Sequence, residues 1–320
     1  MRAGRAIAAA LLVLVACSSG GDEPAVGPAP TAAPAPPGDA GGYGTPTLLG
    51  TLQDPAVDES SGLVASRRNP GRYWTHNDSG DEPLVYCVGS RAEACGVWRV
   101  TAAEARDWED IAAGPGPDPG RSYLYVGDIG DNLVDLDHVV VYRVPEPEVP
   151  AATDGAGRSP TAPVPTEPAQ RLRIRFPDGP HDAETLLVHP ETGDLYVLTK
   201  EATPAVYVAR APLDPGVVTT LERVGTVAIG TASAVTGGDI APDGRRVALC
   251  TYADGYELEL PAGESRFDAV WNVPPRRVAL GLRAQGEAIA YRLDGNALLT
   301  TSERGPARVV PLQQVERRQR

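Results

Sequence analysis

The sequence predicts an all-β fold, a β-propeller of four-stranded blades. Three observations predict it. An acid just before a short apolar run recurs along the chain, at Glu59, Glu109, Glu184, Asp239 and Glu287. The intervals are 50, 75, 55 and 48 residues, and the long one holds a Pro-rich insertion at residues 145–170. A period near fifty marks a solenoid, an array or a propeller. Each interval contains about four short apolar runs punctuated by Gly and Pro, as blades require. Finally, no stretch of the folded region carries convincing helical periodicity; Thr101–Asp107 is short and reads as a loop with one turn.

The elements follow in order. Arg2 and Arg5 precede an apolar run from Ala6 to Val15, ending in Leu14-Val15-Ala16-Cys17. Charge, apolar run, small residue and cysteine in that order form a bacterial lipobox, so residues 1–17 read as a lipoprotein signal peptide with Cys17 as the lipidated residue. Residues 18–45 are rich in Pro, Ala and Gly and read as an extended tether. The single propeller domain occupies residues 46–320, with the insertion at 145–170 expected to be disordered.

Unit one places strands at 62–65, 72–75, 84–87 and 97–100. Unit two runs from Ile111 through 123–126 and 139–142 to 172–176. Unit three has 185–188, 195–198, 206–208 and 224–227. Unit four has 238–241, 247–251, 256–260 and 277–280. Unit five has only 288–291, 297–300 and 308–311. Turns such as Asn69-Pro70-Gly71, Pro190-Glu191-Thr192-Gly193, Pro242-Asp243-Gly244 and Asp294-Gly295-Asn296 join first to second strands. Residues 47–52 form an apolar strand with no partner of their own. They are expected to supply the missing fourth strand of unit five and close the ring, which removes the open sheet edges. Five blades are counted; a sixth would need a degenerate blade within 101–122 or 210–235.

Composition narrows the function. The net charge of −13 argues against nucleic acid and anionic membrane surfaces as partners and favours cations. Lys200 is the only lysine among 29 basic residues. An oxidising compartment makes a Cys87–Cys95 disulfide an expectation, while Cys250, within an apolar run, reads as a buried free thiol. A monomer is expected.

In a four-stranded meander the loop entering the first strand and the loop leaving the second open on one face. The recurring acids occupy the first kind of loop. The second kind carries His76-Asn77-Asp78, Asp128-Ile129-Gly130-Asp131-Asn132, Lys200-Glu201, Tyr252-Ala253-Asp254 and Ser302-Glu303. Carboxylates crowded about one axis raise each other's pKa or recruit a cation. A hard divalent ion with oxygen ligands, Ca2+ outside the cell, is the economical answer. The candidate ligands are Glu59, Asn77, Asp78, Glu109, Asp128, Asp131, Asn132, Glu184 and Glu287. The alternative is that these acids accept backbone hydrogen bonds as fixtures of the blades. His181, Glu184 and Lys200 are candidate catalytic groups, and His76 has a claim similar to that of His181. Ser60-Ser61-Gly62 lacks the Gly-x-Ser-x-Gly frame of a nucleophile elbow, and no Cys/His zinc spacing occurs.

Ser61-Gly62-Leu63, Tyr73 through Asn77-Asp78, and Trp108-Glu109-Asp110-Ile111-Ala112 resemble the bacterial propeller families grouped as SdiA-regulated or as "esterase-like activity of phytase". The resemblance covers units one and two, and beyond them only the repeat pattern. It is also similar to calcium-dependent propeller phytases and propeller lactonases, which implies acids and amides holding Ca2+ at the channel mouth. The chain departs from the phytases in having one lysine and no basic cluster for a highly phosphorylated substrate.

Two functions follow as expectations. One is a lipid-anchored module on the outer face of the cell membrane, attached through Cys17 and binding an extracytoplasmic ligand or protein. The other is a metal-dependent hydrolase of a phosphoester, ester or lactone, acting at the acidic mouth.

Overall fold

The chain enters the fold through β1 (Thr47–Thr51) and then builds five sheets in succession. The computed structural model describes residues 42–150, 162–229, 234–303 and 309–318. The signal peptide, Cys17, residues 18–41 of the tether and residues 151–161 of the insertion lie outside the described residues. All described residues belong to one unit, Asp39–Arg320.

The first blade is β2 (Ser60–Ala65), β3 (Arg72–Asn77), β4 (Leu84–Gly89) and β5 (Ala94–Arg99). The second begins with β6 (Trp108–Pro115), β7 (Ser122–Asp128) and β8 (Val139–Pro145). After the insertion, the two-residue β9 (Val164–Pro165) adds to the outer edge of the first blade, parallel to β5, and β10 (Gln170–Arg175) completes the second. The third blade is β11 (Ala183–Val188), β12 (Leu195–Thr199), β13 (Ala205–Ala209) and β15 (Glu222–Thr226), while β14 (Val218–Thr220) pairs back onto β10. The fourth is β16 (Gly237–Ile240), β17 (Arg246–Cys250), β18 (Gly255–Glu259) and β19 (Arg276–Val278). The fifth is β20 (Gly286–Tyr291), β21 (Ala297–Ser302) and β22 (Pro311–Glu316), with β1 as its outer strand.

The protein is therefore an all-β, five-bladed propeller whose N-terminal strand closes the ring: β1 pairs antiparallel with β22. No sixth blade lies in 101–122 or in the described part of 210–235. The first stretch feeds β6 and its hairpin, and the second holds β14 and β15. The one helical element among the described residues is a short 3-10 turn, Phe267–Asn272, packed against the third and fourth blades. The third strand of the last blade runs Pro311–Glu316, and Arg308 of the expected strand lies outside the described residues. Leu312 and Val315 face the core, and the glutamines between them are only half-buried.

Local chemistry explains the repetition. Every first hairpin turns on a glycine in the left-handed region: Gly71, Gly120, Gly193, Gly244 and Gly295 have φ between 66° and 78°. Each junction between neighbouring blades holds its own apolar cluster, so the ring is sewn by five small cores rather than one large one. The first and second blades share the aromatic one, where Trp74 meets Trp98 edge to face at 5.0 Å and Trp108 packs nearby.

Two buried carboxylates add polar fastenings between blades. Glu257 accepts hydrogen bonds from Tyr43 (2.6 Å), Tyr291 (3.0 Å) and Arg276 (3.0 Å), tying the N-terminal segment to the last two blades. Glu146, at the start of the insertion, accepts from Ser66 Oγ, Trp74 Nε1 (2.9 Å) and Arg68 N (3.1 Å). A buried donor left without its acceptor costs about 1–3 kcal/mol. Glu146→Ala strands two such buried donors, the Trp74 indole and the Ser66 hydroxyl. It is expected to lower the unfolding free energy by about 3 kcal/mol in a denaturant titration.

The cysteine expectation is corrected in part. Cys250 is a buried free thiol, but Cys87 and Cys95 are free as well. Cys95 is the extra residue of a bulge between β4 and β5, which turns it toward Cys87. There Arg72 Nη1 donates to Cys95 Sγ at 3.2 Å, and the Cys95 thiol donates to Glu93 O at 3.5 Å.

Candidate functional site

The first strand of a blade runs down the channel wall, and a regular strand would point alternate side chains into the sheet. Four of the five blades break that regularity near the top. Ser60 pairs with Asn77 and Gly62 with His76, which leaves Ser61 as an extra residue. Trp108 pairs with Asp128 and Asp110 with Gly127, leaving Glu109. The same irregularity leaves Glu184 between Ala183 and Thr185, and Glu287 between Gly286 and Ala288. A bulge re-aims the inserted side chain. Three of these four inserted residues are glutamates, all at structurally equivalent positions.

These glutamates meet acids from the loops that leave the second strands. Asp78, Asp107 and Glu109 can each offer a carboxylate oxygen, all within 4.8 Å of one another, and Asp78, Glu287 and Glu303 can do the same. Glu109, Glu184 and Glu287 are each 6% exposed, whereas Asp78 and Glu303 are half-buried and open to solvent. Burial, reinforced by Asp78, Glu184 and Asp107, pushes the Glu109 carboxyl up to about 10. Burial likewise pushes Glu287 up to about 9 and Glu184 to about 7. Lys200 Nζ pairs with Glu184 Oε1. Burial works against that ammonium, yet the adjacent Glu184 outweighs it and holds Lys200 above the ordinary lysine value. The other oxygen of Glu184, and Oε2 of Glu287, are buried without a hydrogen-bond partner. Buried polar atoms are normally paired, so these two orphan carboxylate oxygens mark the mouth as a place where a ligand could bind.

The wall is shaped around these groups. A Cβ at Gly130 would lie 2.3 Å from both Asp107 Oδ2 and Glu109 Oε1. Only glycine lets the loop after β7 pass over that triad. Gly130→Ala is expected to displace both carboxylates and weaken cation binding at least tenfold, read by calcium titration, with the fold retained by circular dichroism.

The other candidates have different fates. Glu59 is exposed and forms a backbone bridge with Glu303 at the outer rim, two residues ahead of the bulge position. Asn77 uses both ends of its amide on the loop, accepting from Asp58 N and Glu59 N and donating to Ala56 O and Asp81. Asp128 accepts from Asp107 N at 2.8 Å and so positions Asp107. Asp131 accepts from Asp135 N and Leu136 N, and Asn132 donates to Asp107 Oδ2 at 3.2 Å. His181 is held by Glu201 (2.9 Å) and Asp178 (3.1 Å) and lines a separate cavity of about 300 Å³ with Phe176 and His138. His76 is fully buried, and burial pushes its pKa down to about 4. The fourth blade has no bulge, so Asp239 lies lower in the channel and accepts from Tyr291 N at 2.8 Å. It is a fixture of the ring.

Two residues, Asp107 and Asp110, escape the sequence reading of the site, and Glu303, a rim acid in that reading, stands outside its candidate ligands. Asp107 and Glu303 complete the two triads, and both stand in the recurring loops. Asp110 follows the Glu109 bulge and is fully buried. Its carboxylate accepts from Ile111 N, Leu186 N and Gly238 N, bracing three inner strands across the channel. The repeated acid-before-strand pattern held this signal, because only the second repeat has acids on both sides of the bulge. Asp110→Ala leaves three strand amides without an acceptor and is expected to cost about 3 kcal/mol, measured by denaturant unfolding.

The site thus defines a propeller with an acidic axial mouth, a scaffold suited to binding a ligand or partner. No family model matches the sequence, and no curated protein matches it. Among solved structures, the chain is similar to one in the nidogen/laminin complex, with 15% identity, TM-score 0.44, and 77% of this chain and 72% of that one covered. It is also similar to the Cps50 (Swd1) β-propeller domain of Myceliophteria thermophila, with 12% identity, TM-score 0.43, and 84% and 99% covered.

Proposed function

We propose that this protein is a ligand- or partner-binding propeller whose axial mouth holds a divalent cation, Ca2+ in an extracytoplasmic setting. One observation carries the reading: three glutamates on equivalent bulges converge, each only 6% exposed, and two of them keep an oxygen with no partner. Among the described residues only Lys200 makes an ion pair with any of the three. A hard cation fits that donor set, since all the groups offered are carboxylate oxygens. Asp78 would hold it, either with Asp107 and Glu109 or with Glu287 and Glu303. The lipobox supports display from the outer face of the membrane through Cys17.

The test is a Ca2+ titration of the purified protein after chelation, followed by melting temperature. A midpoint that rises with Ca2+ in the wild type, and rises less in Glu109→Gln, supports the reading by linkage. A flat wild-type response would leave the acids as blade fixtures and sink it.

A second reading is favoured by the half-exposed Asp78 and Glu303 and the exposed Tyr252, which leave the mouth open to solvent. A cation there would polarise an oxygen of a phosphoester, ester or lactone. Lys200 would orient an anionic group beside it. Calcium-dependent turnover in a substrate screen, lost in Lys200→Ala, would favour this hydrolase.

A further inference from the structure

We propose that the mouth holds two divalent cations, with Asp78 as the carboxylate shared between them; this rests on the cation reading above and extends it. The two triads have one member in common. Asp78, Asp107 and Glu109 converge on one side, and Asp78, Glu287 and Glu303 on the other. The acids acting on Glu109 are Asp78, Glu184 and Asp107, while those acting on Glu287 are Glu303 and Asp78. Asp78 is again the common neighbour, and a carboxylate has two oxygens with which to face two ions.

Each side has an independent sign of a ligand. On the second, Glu287 is 6% exposed with Oε2 buried and unpartnered, and its carboxylate lies within 4.8 Å of those of Glu303 and Asp78. Carboxylates crowded this closely repel unless a proton or a cation lies between them. On the first, Glu184, whose charge acts on Glu109, likewise keeps Oε2 buried and unpartnered, and Gly130 lies so close to Asp107 and Glu109 that a Cβ would come within 2.3 Å of both carboxylates. Charge counting agrees. Six carboxylates (Asp78, Asp107, Glu109, Glu184, Glu287, Glu303) against Lys200 give 6 − 1 = 5 negative charges when ionised. One divalent ion leaves about three of these uncompensated in a buried site; a second brings the balance to about one.

The experiment is calorimetric Ca2+ titration of the chelator-treated full chain, with bound metal counted after gel filtration. Two equivalents are expected for the wild type. Glu109→Gln and Glu287→Gln should each retain one, and Asp78→Asn should weaken both by at least tenfold. Melting in chelator checks that each variant is folded. Loading with Tb3+ and Eu3+ together gives a second readout, since energy transfer between the two requires ions in adjacent positions. One equivalent, abolished alike by either glutamate variant and with no energy transfer, would overturn the two-ion inference and leave the single-cation reading intact. No binding at all would overturn both.

Discussion

Glu257→Ala is expected to lower the unfolding free energy by about 3–5 kcal/mol, the cost of breaking a buried ionic network from one side. Glu257 is fully buried and stands where the ring closes. Tyr43, from the segment that leads into the outer strand of the last blade, donates to it at 2.6 Å, and Tyr291 of the inner strand donates at 3.0 Å. Arg276 completes the shell at 3.0 Å, with Arg246 and Arg317 at 3.6 and 3.8 Å. Removing the carboxylate leaves two buried hydroxyls and three guanidinium groups facing one another. Alanine therefore costs more than the hydrogen bonds it deletes. Glu257→Gln keeps the acceptor and loses the charge, and should cost less than alanine. Tyr43→Phe removes one bond and should cost about 1 kcal/mol. Equilibrium denaturation of the three variants checks this order. A Glu257→Ala protein as stable as wild type would mean that closure rests on β-pairing and the apolar junction alone.

How far the sequence reveals this architecture depends on the kind of signal. Ring closure is legible because a count comes up short: unit five has three strands, and residues 47–52 have none to pair with. Hairpin turns are legible where one short Gly-bearing turn separates two apolar runs, as at Gly71, Gly193, Gly244 and Gly295; Gly120 also follows a proline but is hidden in the longer Gly- and Pro-rich stretch before it. The recurring acid is legible as a pattern, but its meaning is not. A bulge is a single inserted residue, and spacing alone cannot tell the inserted residue from one two places away. So the repeat groups Glu59 with Glu109, although the equivalent position in the first blade is Ser61. It groups Asp239 with them too, although the fourth blade has no bulge. Asp107, Asp110 and Glu303 depend on which loop residues converge in space, and a one-dimensional repeat does not carry that information.

Without a cation, the folded protein should lose stability as pH rises from about 4.5 to 10, and Ca2+ should abolish that loss. The sign follows from the three bulge glutamates. Burial raises Glu184 to about 7, Glu287 to about 9 and Glu109 to about 10, against 4.5 for an ordinary glutamate. A raised carboxyl pKa means that the folded state binds protons more tightly than the unfolded state. Its stabilising effect is present below the unfolded value and lost as pH rises through the folded one. Each tenfold gain in proton affinity is worth about 1.4 kcal/mol, so Glu184 alone accounts for a change on the order of 3 kcal/mol. A bound divalent ion replaces the protons and leaves the carboxylates ionised at no such cost. His76 acts on the other limb. Its folded pKa is depressed from 6.5 to about 4, so the stability it contributes is present above 6.5 and lost as pH falls through 4. Three glutamates outweigh one histidine once ordinary glutamates ionise, so the chelated protein should lose stability steadily from about pH 4.5 upward. With Ca2+ the alkaline side should flatten while the acid side stays. Melting curves from pH 4 to 10, in chelator and in Ca2+, read both limbs at once. An alkaline limb that is unchanged by Ca2+ would show that no cation relieves the buried glutamates.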